Sequence, residues 1–422
     1  MNITEALEFV QSASWLGTCP GLERVTELMH QLGDPQEKLR FIHITGTNGK
    51  GSTAAMLSSI LTEAGYKTGL FTSPHLRFYN ERIKVNGRDI SDEDLCSAAE
   101  TVKAAVERMT LVPTEFERFT AMAFLHFLEV GCDIVVLEVG LGGALDSTNV
   151  IPAPELAIIT NIGLEHTEYL GNSLEEIAAT KSGIIKPGCD VVLYGQSAQV
   201  ESVVRARCAE CGSRLTVTDM TRAALHASSL EGQELSYRNR EHLRLRLLGT
   251  YQYHNAATAL DAVDALIRRG FVISDEAIAK GLAQVQWPGR FEVLRHDPLV
   301  IVDGAHNPNG VEELARCLEQ FLPGRKVIFV MGVMADKDYA DMLSSVGPYA
   351  KQFVTVTPES ERALSSQALE QQIESQLGVP AHSAGGVKEG IAMALAEASA
   401  EDAICIFGSL YQVGEVHEFF AQ

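Results

Sequence analysis

Seven consecutive residues, Gly46-Thr47-Asn48-Gly49-Lys50-Gly51-Ser52, combine the parts needed to hold a chain of phosphates. Glycines let backbone N–H groups converge on an anion, a lysine adds a full charge, and a hydroxyl can reach an accompanying metal ion. Ser73, Glu138 and His166 lie at or just beyond the ends of apolar runs and offer a hydroxyl, a carboxylate and an imidazole. Glu138 is the clearest of these, because Asp133 to Val139 is a continuous apolar strand broken by one acid. Burying that carboxylate is costly unless it meets a cation, and an acid ending a hydrophobic strand is the usual magnesium-holding position near a phosphate cradle. Pairing to a structural arginine is the bland alternative for Glu138, capping of the next segment for Ser73, and a structural role for His166. A second group lies in Asp303-Gly304-Ala305-His306-Asn307-Pro308, with Asp336-Lys337-Asp338 and Ser409 after later apolar runs.

The cradle needs a strand before it and a helix after it. Phe41 to Thr45 is a short β-branched and apolar run, and Ser52 to Ala64 carries apolar residues at helical spacing, with Gly65 suited to a left-handed cap. Further strands are predicted over Lys67 to Thr72 and Leu156 to Ile162, and polar residues after parallel strands face the ligand crevice. Ser91 caps a helix with an acidic first turn, and another helix spans Thr114 to Val130. Gly140 to Asn149 reads as a flexible loop placed to touch a substrate. Lys181 lies in an apolar-faced helix, where spacing alone leaves it on the surface. Residues 235–248 alternate as half-exposed antiparallel strands, and a long helix from Tyr251 ends near Gly270.

Proline and glycine in Trp287-Pro288-Gly289-Arg290-Phe291 mark a domain boundary, giving domains 1–292 and 293–422. Beyond it the chain restarts with strands at 299–302, 327–331, 353–356 and 403–407, separated by helices. The fold class is therefore α/β, a P-loop parallel-sheet ATPase domain followed by a smaller Rossmann-like domain. A site in the cleft between them is the expectation.

A net charge of 34 − 55 = −21 argues against nucleic acid as a partner, so cations must be concentrated locally. Met1 to Glu5 carries no basic region leading into an apolar core, and no apolar run has membrane-spanning length. No membrane association and a cytoplasmic location are expected. The eight cysteines are scattered as reduced thiols would be, and the lone Cys208-x-x-Cys211 favours packing over metal or redox chemistry.

The cradle departs from the commonest pattern, with Ile44 where a first glycine stands and Gly51 where a hydroxyl stands, Ser52 following. This shortened form resembles that of ATP-dependent amide ligases of the Mur and folate types, which differ at the position of Gly51. The ordered set GLERV, ITGTNGKGS, FTSPHL, LEVGLGG-x-LDSTN, GLEHT, KSGI, YQ-x-x-NA, WPGRFE, DGAHNP, DKD and GSLY resembles folylpolyglutamate synthase and its bacterial bifunctional dihydrofolate synthase form. The resemblance covers nearly the whole chain and implies a Mur-ligase-like fold.

By position, it implies that Gly46 to Ser52 form the ATP cradle, with Lys50 on the phosphates. Ser73, Glu138 and His166 match magnesium ligands, Ser52 supplies a further hydroxyl, and Lys181 matches a lysine carbamylated by carbon dioxide near a second magnesium. Asn255 and Arg290 match ATP-contacting positions, and Asp303 and His306 match the nucleotide and glutamate side. Thr18 to Pro20, Glu115 to Arg118 and Leu145 to Ser147 correspond to pterin-side contacts. Some bifunctional members carry Arg where this chain has Ala144, and residues 18–20 also differ from theirs. The implied reaction adds L-glutamate to a reduced folate or dihydropteroate through an acyl phosphate, in a monomer using ATP and two magnesium ions. The rivals are a monofunctional folylpolyglutamate synthase, a Mur-type ligase acting on a UDP-muramoyl peptide, and a non-enzymatic nucleotide switch. His306 is the favoured base for the glutamate amine, because an imidazole suits proton transfer near neutrality.

Overall fold

Phe41–Thr45 has no solvent-facing side, all five residues being buried, and it forms a central strand of a parallel sheet. The computed structural model describes residues 1–360 and 362–421. In chain order the first sheet comprises β1 (Phe41–Thr45), β2 (Thr68–Phe71), β3 (Ile83–Val85), β4 (Arg88–Asp89), β5 (Ile134–Glu138), β6 (Leu156–Ile159), β7 (Asp190–Leu193) and β8 (Leu215–Val217). Their spatial order is β4-β3-β2-β5-β1-β6-β7-β8. The six strands from β2 to β8 run parallel, and β3 and β4 add an antiparallel edge. Strands buried on both faces read as unbroken apolar runs, which is why β5 and β6 were legible from sequence.

The chain divides into two compact units. The first holds residues 1–224, 236–243 and 254–285, and the second holds 225–235, 244–253 and 286–422. In the first unit one apolar core gathers Val25, Phe41, Phe71, Phe119 and Phe124, and another gathers Ile159, Ile177, Val191 and Cys208. Cys208 is thus part of the core and Cys211 packs against it. A three-stranded sheet of order β11-β10-β9 follows, from β9 (Ala223–Ser229), β10 (Gly232–Tyr237) and β11 (Arg240–Leu245).

The second unit carries β12 (Glu292–His296), β13 (Leu299–Val302), β14 (Val327–Met331), β15 (Ala350–Val356), β16 (Ala381–Gly385) and β17 (Ala403–Phe407), in the order β12-β13-β17-β14-β15-β16. All neighbours are parallel except β12 and β13. Its core includes Phe329, Phe353 and Phe407, with ring centroids of Phe329 and Phe353 at 5.2 Å. β12 and β16 are strands that periodicity alone did not reveal, since β16 consists of small and polar residues and β12 is largely polar. Among the described residues no helix is long and apolar enough to cross a membrane.

Candidate active site

In the first unit, four neighbouring parallel strands, β2-β5-β1-β6, present their carboxyl ends side by side. The phosphate loop leaves β1, Ser73 follows β2, Glu138 ends β5, and Asn161 to His166 follow β6. Ligand crevices of parallel sheets lie at such ends.

The loop's shape requires its glycines. Gly46 has φ 153° and Gly49, which caps helix Lys50–Glu63, has φ 85°. A side chain on Gly46 would collide with the Thr160 hydroxyl, and a Cβ on Gly49 would stand 2.6 Å from Asn255 Oδ1. Asn255, buried near the start of helix Gln252–Arg268, is therefore packed against the cradle. The segment after β6 secures the other side. Thr47 N and Asn48 N donate to Asn161 O at 2.7 and 3.3 Å, and Thr47 Oγ1 and Gly163 exchange two bonds of 3.1 Å. Gln196 braces that segment, its Oε1 accepting from Ile162 N at 2.9 Å. Sequence reasoning missed Asn161 because the predicted strand ran on to Ile162 and enclosed it, whereas β6 ends at Ile159 and leaves Asn161 among the polar residues past the strand.

Two lysines converge on one carbonyl. Lys50 Nζ donates to Gly46 O at 3.1 Å and to Thr47 O at 3.3 Å, and Lys181 Nζ donates to Gly46 O at 2.7 Å. The surface position expected for Lys181 is overturned, because it is only 3% exposed at the end of helix Leu174–Lys181. Burial, helped by the neighbouring Lys50 charge and opposed by Glu165 and Asp146, pushes its ammonium down to about 7.

Glu138 is 4% exposed, and its Oε2 accepts from Ser73 N at 3.1 Å, so these two predicted ligands meet. Ser52, in the first turn of the helix after the cradle, is also buried. His166 differs: its backbone is left-handed at φ 49° and its side chain is exposed.

The Gly140–Asn149 segment is not the flexible loop its glycines suggested. All of Gly142, Gly143 and Asp146 to Asn149 are buried. Asp146 Oδ2 accepts from Leu141 N at 2.8 Å and Oδ1 from Thr148 N at 3.0 Å, while burial pushes its carboxyl up against those bonds. Ala144 N donates to Thr180 O at 3.0 Å, and a Cβ on Gly143 would lie 2.7 Å from Lys181 O. The glycines are there for close approach to the lysine-bearing helix rather than for mobility. Leu145 alone of the central residues is strongly exposed, at 56%, and its carbonyl accepts from Gly21 N at 3.3 Å, beside the Thr18–Pro20 stretch. Nearby, Arg24 Nε donates to Glu117 Oε2 at 3.0 Å and its guanidinium also bonds Cys19 O. Tyr79 donates to Glu115 Oε1 at 2.9 Å, and Arg118 Nε to Pro113 O at 3.1 Å.

The second unit has its own polar strand end. Asp303, just past β13 and 5% exposed, accepts from Phe291 N and Ala305 N, both at 2.7 Å. Burial pushes its carboxyl up, although the Arg290 charge opposes this. The Phe291 bond holds that residue at φ 41°, an unusual conformation for a bulky side chain. His306 Nδ1 lies 2.8 Å from Gly304 O. A carbonyl can only accept, so Nδ1 carries a proton, which in a neutral imidazole puts the lone pair on Nε2.

The chain matches the family profile of the Mur ligase middle domain over residues 44–263 and that of the Mur ligase, glutamate ligase domain over residues 289–410. It is 40% identical over 350 residues to the dihydrofolate synthase/folylpolyglutamate synthase of Bacillus subtilis, covering 80% of this chain and 81% of that one. It is 34% identical to the folylpolyglutamate synthase of Lacticaseibacillus casei over 99% of this chain and 98% of the relative. The crystal structure of Mycobacterium tuberculosis folylpolyglutamate synthase complexed with ADP and AMPPCP superposes with a TM-score of 0.87 at 32% identity, covering 100% of this chain and 99% of that one. With the middle-domain match alone spanning more than half of the residues, the chain belongs to the Mur ligase family, in its branch of folylpolyglutamate and dihydrofolate synthases.

Proposed function

We propose that this chain is an ATP-dependent ligase that joins L-glutamate to a carboxylate of a reduced folate, and also to that of dihydropteroate, through an acyl phosphate. The observation that carries this reading is the set of groups at four adjacent strand ends, where the glycine cradle, buried Glu138 and buried Lys181 belong to one surface of the sheet. The relatives' names and the ADP and AMPPCP held by a structural neighbour support folate and ATP as substrates.

In the first step the acceptor carboxylate attacks the γ-phosphoryl group in line and ADP leaves. Gly46 to Ser52 bind the phosphates, with Lys50 and the N–H groups of the helix start placed against the charge of the transferring oxygens. Asn255 and Arg290 contact the nucleotide. The donors suit magnesium, which takes hard oxygen ligands: the Glu138 carboxylate, the Ser73 and Ser52 hydroxyls, and His166 as an added nitrogen. When bound, two such ions neutralise phosphoryl charge. The Lys181 ammonium, pushed down to about 7, readily gives the neutral amine that adds carbon dioxide and releases a proton to solvent, and the resulting carbamate would offer a carboxylate to the second ion.

In the second step the glutamate amine attacks the acyl carbon, phosphate leaves, and His306 Nε2 takes the amine proton. Asp303 acts by fixing the turn that presents His306 and the backbone beside Arg290. Residues 1–292 carry the ATP and acceptor functions and residues 293–422 the glutamate function, in a cytoplasmic monomer.

ADP release with a panel of acceptors tests the reading. Turnover that requires glutamate together with tetrahydrofolate or dihydropteroate is expected. Turnover with a UDP-muramoyl peptide, or ATP hydrolysis independent of both glutamate and acceptor, would overturn it. Product from tetrahydrofolate but none from dihydropteroate would limit the enzyme to the single activity named for the Lacticaseibacillus relative, a result that Ala144 in place of arginine makes specific.

A further inference from the structure

We propose that His43 is a positioning residue for the acceptor substrate, setting the Leu141–Asn149 loop on the same strand that carries the phosphate cradle. The inference rests on the functional reading above, taken with the match of Leu145 to Ser147 to pterin-side contacts that the family resemblance implies. Side chains alternate along a strand, so His43 and Thr45 project from one face of β1. Both bond the same loop. Thr45 Oγ1 donates to Gly142 O at 2.5 Å, and His43 Nε2 lies 2.9 Å from Thr148 Oγ1.

The direction of the second bond follows from the other partner of that hydroxyl. Thr148 Oγ1 lies 2.5 Å from Asp146 Oδ1, and the two Asp146 oxygens already accept backbone N–H groups from Leu141 and Thr148. The hydroxyl proton therefore goes to Asp146, and the Thr148 oxygen accepts from His43 Nε2–H. This fixes the tautomer and leaves the ring lone pair on Nδ1. That atom is buried and has no partner among the described residues. An apolar side chain, such as those of Ile42 and Ile44, would have no such orphan. What the imidazole adds in exchange is one donated bond, and it feeds the carboxylate that closes the loop on itself.

The loop held in this way contacts two other parts of the site. Leu145 is exposed beside Gly21, and Ala144 N bonds the carbonyl of Thr180, next to Lys181. β1 thus sets, from a single backbone, both the phosphate loop that begins at Gly46 and the surface that meets the acceptor.

Steady-state kinetics on the full-length enzyme test this. His43→Leu should raise the KM for tetrahydrofolate about five- to tenfold, the scale of one buried neutral hydrogen bond. The KM for ATP and kcat at saturating acceptor should move by less than about twofold, since a residue acting on acceptor placement alone changes one binding term. His43→Gln should restore the acceptor KM, because its Nε2 can reach the same hydroxyl and it likewise buries one unpartnered acceptor atom. Thr148→Val should raise the acceptor KM as His43→Leu does, and it carries the test if His43→Leu fails to fold. The double variant should be no worse than the worse single, since one bond cannot be lost twice. Multiplying effects, an equal rise in both KM values, or a glutamine variant as impaired as the leucine one would overturn the inference. Wild-type turnover with an unmoved acceptor KM in the variants breaks this inference alone. A wild-type chain with no acceptor-dependent ADP release breaks the functional reading and this inference with it.

Discussion

Each unit ends a parallel strand in a buried carboxylate, and the two are bonded differently. Asp303 gives one oxygen to Phe291 N and the other to Ala305 N, both at 2.7 Å, which fixes a turn with a left-handed phenylalanine. Glu138 receives a longer bond, 3.1 Å from Ser73 N, and lies on the strand beside the phosphate loop. A carboxylate with both oxygens on short backbone bonds holds a turn, whereas one on the strand beside an anion-binding loop is placed to ligate a cation. Position at a strand end is shared by both, so it does not assign a role. What surrounds each does: a backbone turn around Asp303, the phosphate loop on the strand next to Glu138.

Four measurements break or sharpen that contrast. The largest effect is expected at the cradle, where Lys50→Ala should lower ADP formation about a hundred- to a thousandfold, the usual cost of one preorganised charge-stabilising group. The unfolding temperature should stay near wild type; a folded variant with normal turnover would remove the lysine from the chemistry. His306→Ala should come next, slowing amide formation by about a hundredfold as expected of a lost general base, while acyl phosphate formation trapped by rapid quench is spared. Equal loss in both steps would reassign His306 to the first.

The third measurement sets the carboxylates against each other. Glu138→Gln should raise the magnesium concentration for half-maximal rate by roughly tenfold or more. Asp303→Asn should leave that concentration unchanged and instead destabilise the protein by about 1.5–3 kcal/mol, the worth of a hydrogen bond to a charged group. Swapped outcomes would reverse the two roles.

The fourth measurement concerns Lys181. Its folded ammonium titrates at about 7, against an ordinary value of 10.5. Between those values the unfolded chain holds a proton that the folded chain has lost, so stability should rise with pH across that window, by at most about 1.4 kcal/mol per pH unit. Below pH 7 both states are protonated and the contribution is flat. Denaturant titrations from pH 6 to 10 should show a shallower rise for Lys181→Met than for wild type; identical slopes would mean that the lysine is not the source.

The cradle was legible because strand, glycine loop and helix are contiguous and each has a local signature. Ser73 and Glu138 were legible because polar residues interrupt or follow apolar runs. Lys181 was legible only through the family resemblance and not from spacing, since a lysine on a helix looks the same whether it meets water or a carbonyl 135 residues away in the chain. The Gly140–Asn149 segment was misread for a related reason: glycine density marks freedom and close approach alike, and only the partner helix distinguishes them. Thr47 with Gly163, 116 residues apart, and His43 with Thr148, 105 apart, carry no periodic trace at all. Such contacts are created by strand order, which local patterns do not encode.

The tight seat of Ala144 bears on how acceptor choice could be re-engineered. A Cβ on Gly183 would run into Ala144, and Asn149 Nδ2 bonds the carbonyls of both residues, at 3.0 Å to Ala144 and 3.2 Å to Gly183. The two positions form a matched pair of small residues, so enlarging residue 183 alone is blocked by the segment it supports. Leu145, by contrast, projects into solvent from the same segment. A combinatorial library aimed at new carboxylate acceptors would retain most folded members if it varied position 145 freely and left Gly183 fixed.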